Sequence, residues 1–171
     1  MELHNFIREI SDFPEDGILF KDITPLLRDA GAFKYAINSL KEHFQNRDID
    51  FIAGIESRGF IVGTPLALAL NKGFIPIRKS GKLPHNTLSV SYSLEYGTSK
   101  LEIHRDAVDP GDKILLVDDL LATGGTVAAS AELIEELDGE IVSVAFLLEL
   151  TGLNGREKLE GYELFSLLKS D

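Results

Sequence analysis

Short apolar runs rich in β-branched residues, each separated by longer stretches of helical periodicity, constrain this chain more than any other feature. The runs cover 50–55, 73–77, 113–117 and 141–148, and the helical stretches cover 31–45, 59–70 and 124–137. Strands alternating with helices predict βαβ units around a mainly parallel sheet flanked by helices, so the expected class is α/β. The chain has 171 residues, enough for one core, and 1–171 reads as one domain. The helical stretch "GFIVGTPLALAL" carries small and aliphatic residues on most faces, as a helix packed on a sheet requires. Its Pro65 is expected in an early turn or at a bend.

Two segments interrupt this alternation. Residues 79–112 are too long for an ordinary connection, and "SVSYSLEY" and "SKLEIH" alternate around Tyr96-Gly97-Thr98, which predicts a two-stranded hairpin acting as a flap. Near the N-terminus, "DFPEDGILFKDITPLL" contains two prolines and a glycine that rule out one long helix. The preceding "MELHNFIREI" has acids where a signal peptide would be basic, and reads as a helix kept in the working protein. No apolar run approaches the roughly 20 residues needed to cross a bilayer. With no cysteine in the chain, the expected compartment is the cytoplasm. A formal net charge of −11 argues against nucleic acid as a partner. A small phosphorylated ligand needs only a local positive field, which Arg78, Lys79 and Lys82 in "IRKSGK" supply.

The chemistry concentrates in "ILLVDDLLATGGT", residues 114–126. Asp118 and Asp119 are expected where a buried strand ends, the place at which doubly wound sheets bind ligands. Adjacent carboxylates repel each other, yet they accept hydrogen bonds from vicinal sugar hydroxyls. Ala122, Thr123, Gly124, Gly125 and Thr126 then open a helix whose free N–H groups and positive dipole end suit a phosphate. Acids for hydroxyls beside amides for a phosphate describe a ribose 5-phosphate. A solvated acidic turn before a threonine N-cap is the plain structural alternative. Neither G-x-x-x-x-G-K-[ST] nor G-x-G-x-x-G occurs, which removes the triphosphatase and dinucleotide readings of the same strand.

In order along the chain, "DFPEDGILFKDITPLL", "IAGIESRGF", "IRKSGKLP", "YSLEYG", "VDDLLATGGT" and "ELTGLNGREKL" resemble the type I phosphoribosyltransferases, and among them the branch acting on adenine. The resemblance implies that fold, with a hood over about 1–28 and a flap over about 79–112. It also implies transfer of the phosphoribosyl group from phosphoribosyl pyrophosphate (PRPP) to adenine, giving AMP and pyrophosphate in purine salvage. Asp118 and Asp119 would hold the ribose hydroxyls, and 122–126 the 5-phosphate. Ser57, Arg58 and Gly59 would meet the pyrophosphate with Lys79, Lys82 and Arg78, and relatives often carry a further basic residue where this chain has Ser80. A cis peptide is expected at Glu56-Ser57.

Glu95 resembles the flap acid that exchanges a proton at N7 of the base, with Tyr96 covering the reacting centre. Related 6-oxopurine enzymes place an aspartate where this chain has Ala122, so the proton must pass elsewhere. Leu19 and Leu150 would sandwich the purine while the Lys21 backbone reads its edge; without the resemblance, both leucines read as core residues. His4, His43, His85 and His104 lie in unrelated segments. Magnesium is therefore expected on PRPP itself, with no metal ligand from the protein. A homodimer follows from the resemblance, and no membrane or nucleic-acid partner is implied. An enzyme for xanthine or another purine, and a PRPP-sensing regulator without turnover, remain open at this level.

Overall fold

The computed structural model of the chain describes residues 1–93 and 97–171. A 3-10 turn, Leu3–Phe6, leads into strand β1 (Arg8–Ser11), which pairs antiparallel with β2 (Leu19–Asp22) as a two-stranded ribbon. The expected N-terminal helix is thus corrected to one turn and a strand. Pairing of Arg8 with Asp22 through Ser11 with Leu19 overrides the local helical spacing. Helices α1 (Thr24–Arg28) and α2 (Ala30–Phe44) follow. The Asp29 side chain caps α2 by accepting from Ala32 N–H at 2.8 Å.

The remaining elements are β3 (Phe51–Ile55), α3 (Arg58–Leu70), β4 (Gly73–Lys79), β5 (Thr87–Ser93), β6 (Thr98–His104), β7 (Lys113–Leu121), α4 (Gly125–Glu135), β8 (Glu140–Leu150) and β9 (Leu164–Ser170). They form one sheet of order β5-β6-β4-β3-β7-β8-β9. Strands β4, β3, β7, β8 and β9 are parallel, while the β5–β6 hairpin joins antiparallel at the β4 edge. From β3 the chain builds outward first to β4 and then, on the other side, to β7. The order therefore reverses between β3 and β7, and a crevice opens beyond their carboxyl ends.

Both faces of the parallel strands are covered, which is why they read as apolar runs without alternation. Leu115 and Val117 pack with α2 and α3, while Ile114, Leu116, Val144 and Phe146 pack with α4. Strand β7 runs four residues past the expected end, so Asp118 and Asp119 lie within the strand rather than after it. Strand β9 was not anticipated: it is an edge strand, mostly half-buried, and its serines and lysine break the apolar pattern. Pro65 stands in the middle of α3, not in its first turn, so the carbonyl of Ile61 loses its helical donor there.

The seating of α3 sets the start of the crevice. Phe74 of β4 fills the space left by two glycines: a Cβ on Gly54 would lie 2.6 Å from the Phe74 ring, and one on Gly63 2.9 Å from it. Phe60 meets the same ring edge-on at 5.6 Å. Gly54→Ala is expected to lower the unfolding free energy by roughly 1–3 kcal/mol through overpacking, measured by urea denaturation. Phe74→Leu added to it should recover part of the loss, and a double variant no better than the single one would sink this account.

Candidate active site

The crevice between β3 and β7 gathers the acids and cations singled out from the sequence. The β7 backbone delivers Asp118 and Asp119, and the Asp119 N–H donates to Asp118 Oδ1 at 2.9 Å. Gly59 lets the N-terminus of α3 close on them, since a Cβ there would stand 2.8 Å from Asp118 Oδ1. Burial, with the Asp119 charge beside it, pushes the Asp118 carboxyl well above the usual carboxylate range. Burial also raises Asp119, against the opposing pull of Arg58. Arg58 Nε lies 2.9 Å from Asp119 Oδ2, but its N–H is not aimed at that oxygen, which has no hydrogen-bond partner among the described residues. A buried acceptor without a donor is ready for a hydroxyl.

Residues 122–126 form the next wall. Gly124 adopts φ +82°, a left-handed conformation that favours glycine, and its backbone turns the chain into α4 with no side chain capping the first-turn N–H groups. Arg58, Asp118, Asp119 and 122–127 line one cavity of about 200 Å³. The acid pair and the amide-rich loop therefore share a single recess. Behind the loop, Gly155 closes up so tightly that a Cβ on it would stand 2.2 Å from the Ala122 carbonyl oxygen.

A second recess of about 560 Å³ adjoins the first, lined by Glu56, Ser57, Arg58, Lys79, Lys82, Asp118 and Asp119 among others. The Glu56-Ser57 peptide is cis, as is Phe13-Pro14. Glu56, whose side chain is only 8 % exposed, collects most of the nearby positive charge. Arg78 Nε donates to it at 3.1 Å, Lys82 Nζ at 2.6 Å and the Lys79 backbone N–H at 3.1 Å. Burial opposes the Glu56 charge, but the Lys82 and Arg78 hydrogen bonds and the Lys79 N–H outweigh it and hold the carboxyl at about 2. Arg78 is thus tied to Glu56 and to the Lys82 carbonyl at 3.2 Å, while Lys79 makes no ion pair with a described residue. Ser80, in place of a cation, donates to the buried Glu102 at 2.6 Å, and Gly81 N–H donates to the same carboxylate at 3.0 Å. This carboxylate anchors the turn that carries Lys79 and Lys82.

Leu19, Lys21 and Leu150 line a third, mostly apolar recess of about 340 Å³ with Gly17, Ile18 and Leu153. The Lys21 ammonium is engaged by Glu9, which leaves its backbone as the part available to a ligand. Phe20, between these residues, carries the Arg58 guanidinium 5.9 Å above its ring, so one arginine touches both the N-terminal ribbon and the acid pair. Glu95 and Tyr96 lie outside the described residues. Sequence reasoning missed Tyr92 and Ser99, which line the second recess; the Tyr92 hydroxyl lies 3.4 Å from Thr126 Oγ1. Their only signal was inward alternation in the hairpin. Among the described residues no three His, Asp or Glu side chains cluster as a metal site, and no helix is long and apolar enough to cross a membrane.

Comparison with known proteins gives a consistent picture. Residues 26–168 match the family model described as "Phosphoribosyl transferase domain". The chain is 69% identical over 169 residues to an adenine phosphoribosyltransferase of Halothermothrix orenii, covering 99% of each. It is 53% identical to one of Clostridium kluyveri, over 100% of this chain and 99% of that one. Among solved structures, adenine phosphoribosyltransferase from Thermoanaerobacter pseudethanolicus superposes with a TM-score of 0.96 at 57% identity, over 99% of this chain and 98% of that one. The Saccharomyces cerevisiae enzyme, solved with an imino-altritol bisphosphate and adenine, gives 0.92 at 42% identity, over 97% and 96%.

The Glu56 cluster makes a prediction that needs no ligand. A carboxyl held low in the folded state contributes stability above the usual carboxylate range and loses it as pH falls toward about 2. Wild type should therefore exceed Glu56→Gln in unfolding free energy near neutrality, with the gap closing as the buffer is taken through that acid window. A gap that stays constant with pH would show that the charge on Glu56 is not what matters.

Proposed function

The chain belongs to the phosphoribosyltransferase family, and we propose that it transfers the 5-phosphoribosyl group of PRPP to adenine, giving AMP and pyrophosphate. The observation that carries this reading is the shared recess in which Asp118 and Asp119 face the amide-rich loop 122–126. One carboxylate pair for the ribose hydroxyls and one helix N-terminus for the 5-phosphate orient C1 toward the larger recess. The pyrophosphate belongs there, against the Ser57, Arg58 and Gly59 backbone and the Lys79 and Lys82 ammonium groups, with Arg78 holding Glu56 behind them. Adenine lies between Leu19 and Leu150 with its edge on the Lys21 backbone, whose N–H and C=O match a ring nitrogen and a 6-amino group.

In the reaction, the C1–O bond breaks and its electron pair leaves on pyrophosphate, while the N9 lone pair forms the new C1–N bond with inversion. Glu95 takes the proton released from N7, and Tyr96 shields the cationic ribose ring from water. Arg58 and the lysines stabilise the charge growing on the leaving group. Magnesium would come with PRPP and would supply charge neutralisation at the pyrophosphate; Asp119 Oδ2, which has no hydrogen-bond partner among the described residues, would accept from a ribose hydroxyl or from water. Residues 1–28 serve as the hood and 79–112 as the flap of a single domain. A homodimer in the cytoplasm completes the proposal. The dimer is supported by Ile61 and Leu68 of α3, 41% and 83% exposed, and the compartment by a chain without cysteine.

Pyrophosphate release from PRPP and magnesium, with adenine, hypoxanthine, guanine, xanthine and orotate offered separately, tests the reading. Release with adenine, matched by AMP, is expected; release only with an oxopurine would overturn the base assignments. Glu95→Gln should cut turnover by about 10²–10⁴ with PRPP binding retained. An unchanged rate removes Glu95 from the chemistry.

A further inference from the structure

Of "ELTGLNGREKL", the last shared stretch of the chain, the site so far uses Leu150, Leu153 and the close approach of Gly155. Its last five residues pack against the phosphate loop as a 3-10 turn, Gly155–Leu159. Three of its five residues are pinned. Gly155 abuts the Ala122 carbonyl and lets Gly124 approach so closely that a Cβ there would meet its own carbonyl oxygen at 2.5 Å. Arg156 grips the buried Glu149 through Nε at 2.6 Å and Nη2 at 2.7 Å. Leu159 is 1% exposed in the core beneath α4. Lys158 rises between these anchors with its Nζ 3.8 Å from the position a Cβ on Gly125 would occupy. Gly125 is the first residue of α4 and lines the phosphate recess.

We propose that Lys158 is a binding residue for the substrate's 5-phosphate, supplying the full positive charge that the loop itself lacks. The inference rests on the PRPP reading of this site. Loop amides and the helix end offer only partial charges, yet the dianionic phosphate must settle beside two buried aspartates in a chain of net charge −11. Most nearby cations already face a carboxylate: Arg58 lies beside Asp119, and Arg78 and Lys82 pair with Glu56. Lys79, which lines the larger recess, and Lys158, whose ammonium stands beside Gly125, make no ion pair with a described residue. One stands in the pyrophosphate recess and the other at the 5-phosphate loop, so each anionic end of the substrate faces an ammonium that no described carboxylate engages. A turn anchored at Gly155, Arg156 and Leu159 keeps the Lys158 backbone in place.

Ribose 5-phosphate and pyrophosphate separate the two ends. Their affinities are measured by calorimetry on wild type, Lys158→Ala, Lys158→Met and Lys158→Arg, beside kcat and KM for PRPP. Lys158 is exposed, and the methionine retains an aliphatic stem, so native melting temperatures are expected throughout. Loss of one charged hydrogen bond should weaken ribose 5-phosphate about tenfold in the alanine and methionine variants. Pyrophosphate affinity should stay the same, KM for PRPP should rise with kcat retained, and arginine should restore binding. Unchanged ribose 5-phosphate affinity in both neutral variants, or equal weakening of pyrophosphate, overturns the assignment. Dependence of ribose 5-phosphate on Lys158 without turnover on any base would sink the transferase reading and leave this one standing. Full turnover with adenine and no such dependence would do the reverse.

Discussion

Two adjacent carboxylates inside the last stretch of a buried strand are the constraint around which this molecule is arranged. Removing charge from water is costly unless it is paired or hydrogen-bonded. The fold answers with partial compensation only: one backbone N–H for Asp118, and one guanidinium near Asp119 that leaves an oxygen bare. Burial accordingly pushes both carboxyls above their ordinary value, Asp118 the further of the two. Their neighbourhood is shaped to them. A glycine begins the second residue of α3 because a side chain would strike Asp118, and the arginine before it is the counter-ion. The underpaired acids are a reserve of binding energy that donors from a sugar can release.

A similar economy governs the positive side. The cluster that looked in sequence like three cations for one anion is divided in space, with Glu56 engaging Arg78 and Lys82. Glu56 itself leads into the turn that carries Ser57 and Arg58, so the cations also brace the backbone from which α3 starts. Glu102 performs a parallel service for Ser80 and Gly81. Buried carboxylates thus set the geometry of a recess meant for anions, which explains how an acidic chain can present a basic pocket.

Much of this was legible in the residues. Strands β3, β4, β7 and β8 are covered on both faces and so announce themselves as apolar runs, and the helices between them follow the 3.6-residue period. The edge strand β9 lacks that double burial and left no clear signal. At the N-terminus, Leu3, Phe6, Ile7 and Ile10 repeat at helical spacing, yet pairing of β1 with β2 decides the outcome. Such pairing depends on residues from Leu19 to Asp22, beyond an intervening turn. In the candidate site, the acid pair and the loop 122–126 are contiguous and readable. The Glu56 cluster joins residues 22 and 26 positions apart, and the approach of Gly155 to Ala122 spans still more, so neither leaves a local pattern.

Among the described residues, the hairpin pairs with the parallel sheet through Arg78↔Glu102 and Lys79↔Leu101, followed by Ser80 N–H donating to the Lys100 carbonyl at 3.1 Å. The rest of its ladder is internal, running from Thr87↔His104 to Ser93↔Thr98. The hairpin is held by that short pairing and, at its base, by Val90, Leu101 and Ile103, which pack in the core with α4. Its far end can be lengthened, shortened or rewritten between lineages without disturbing the strands that carry the acid pair. Change in the covering flap can therefore accumulate on an appendage, while the handling of the sugar phosphate stays locked in the core.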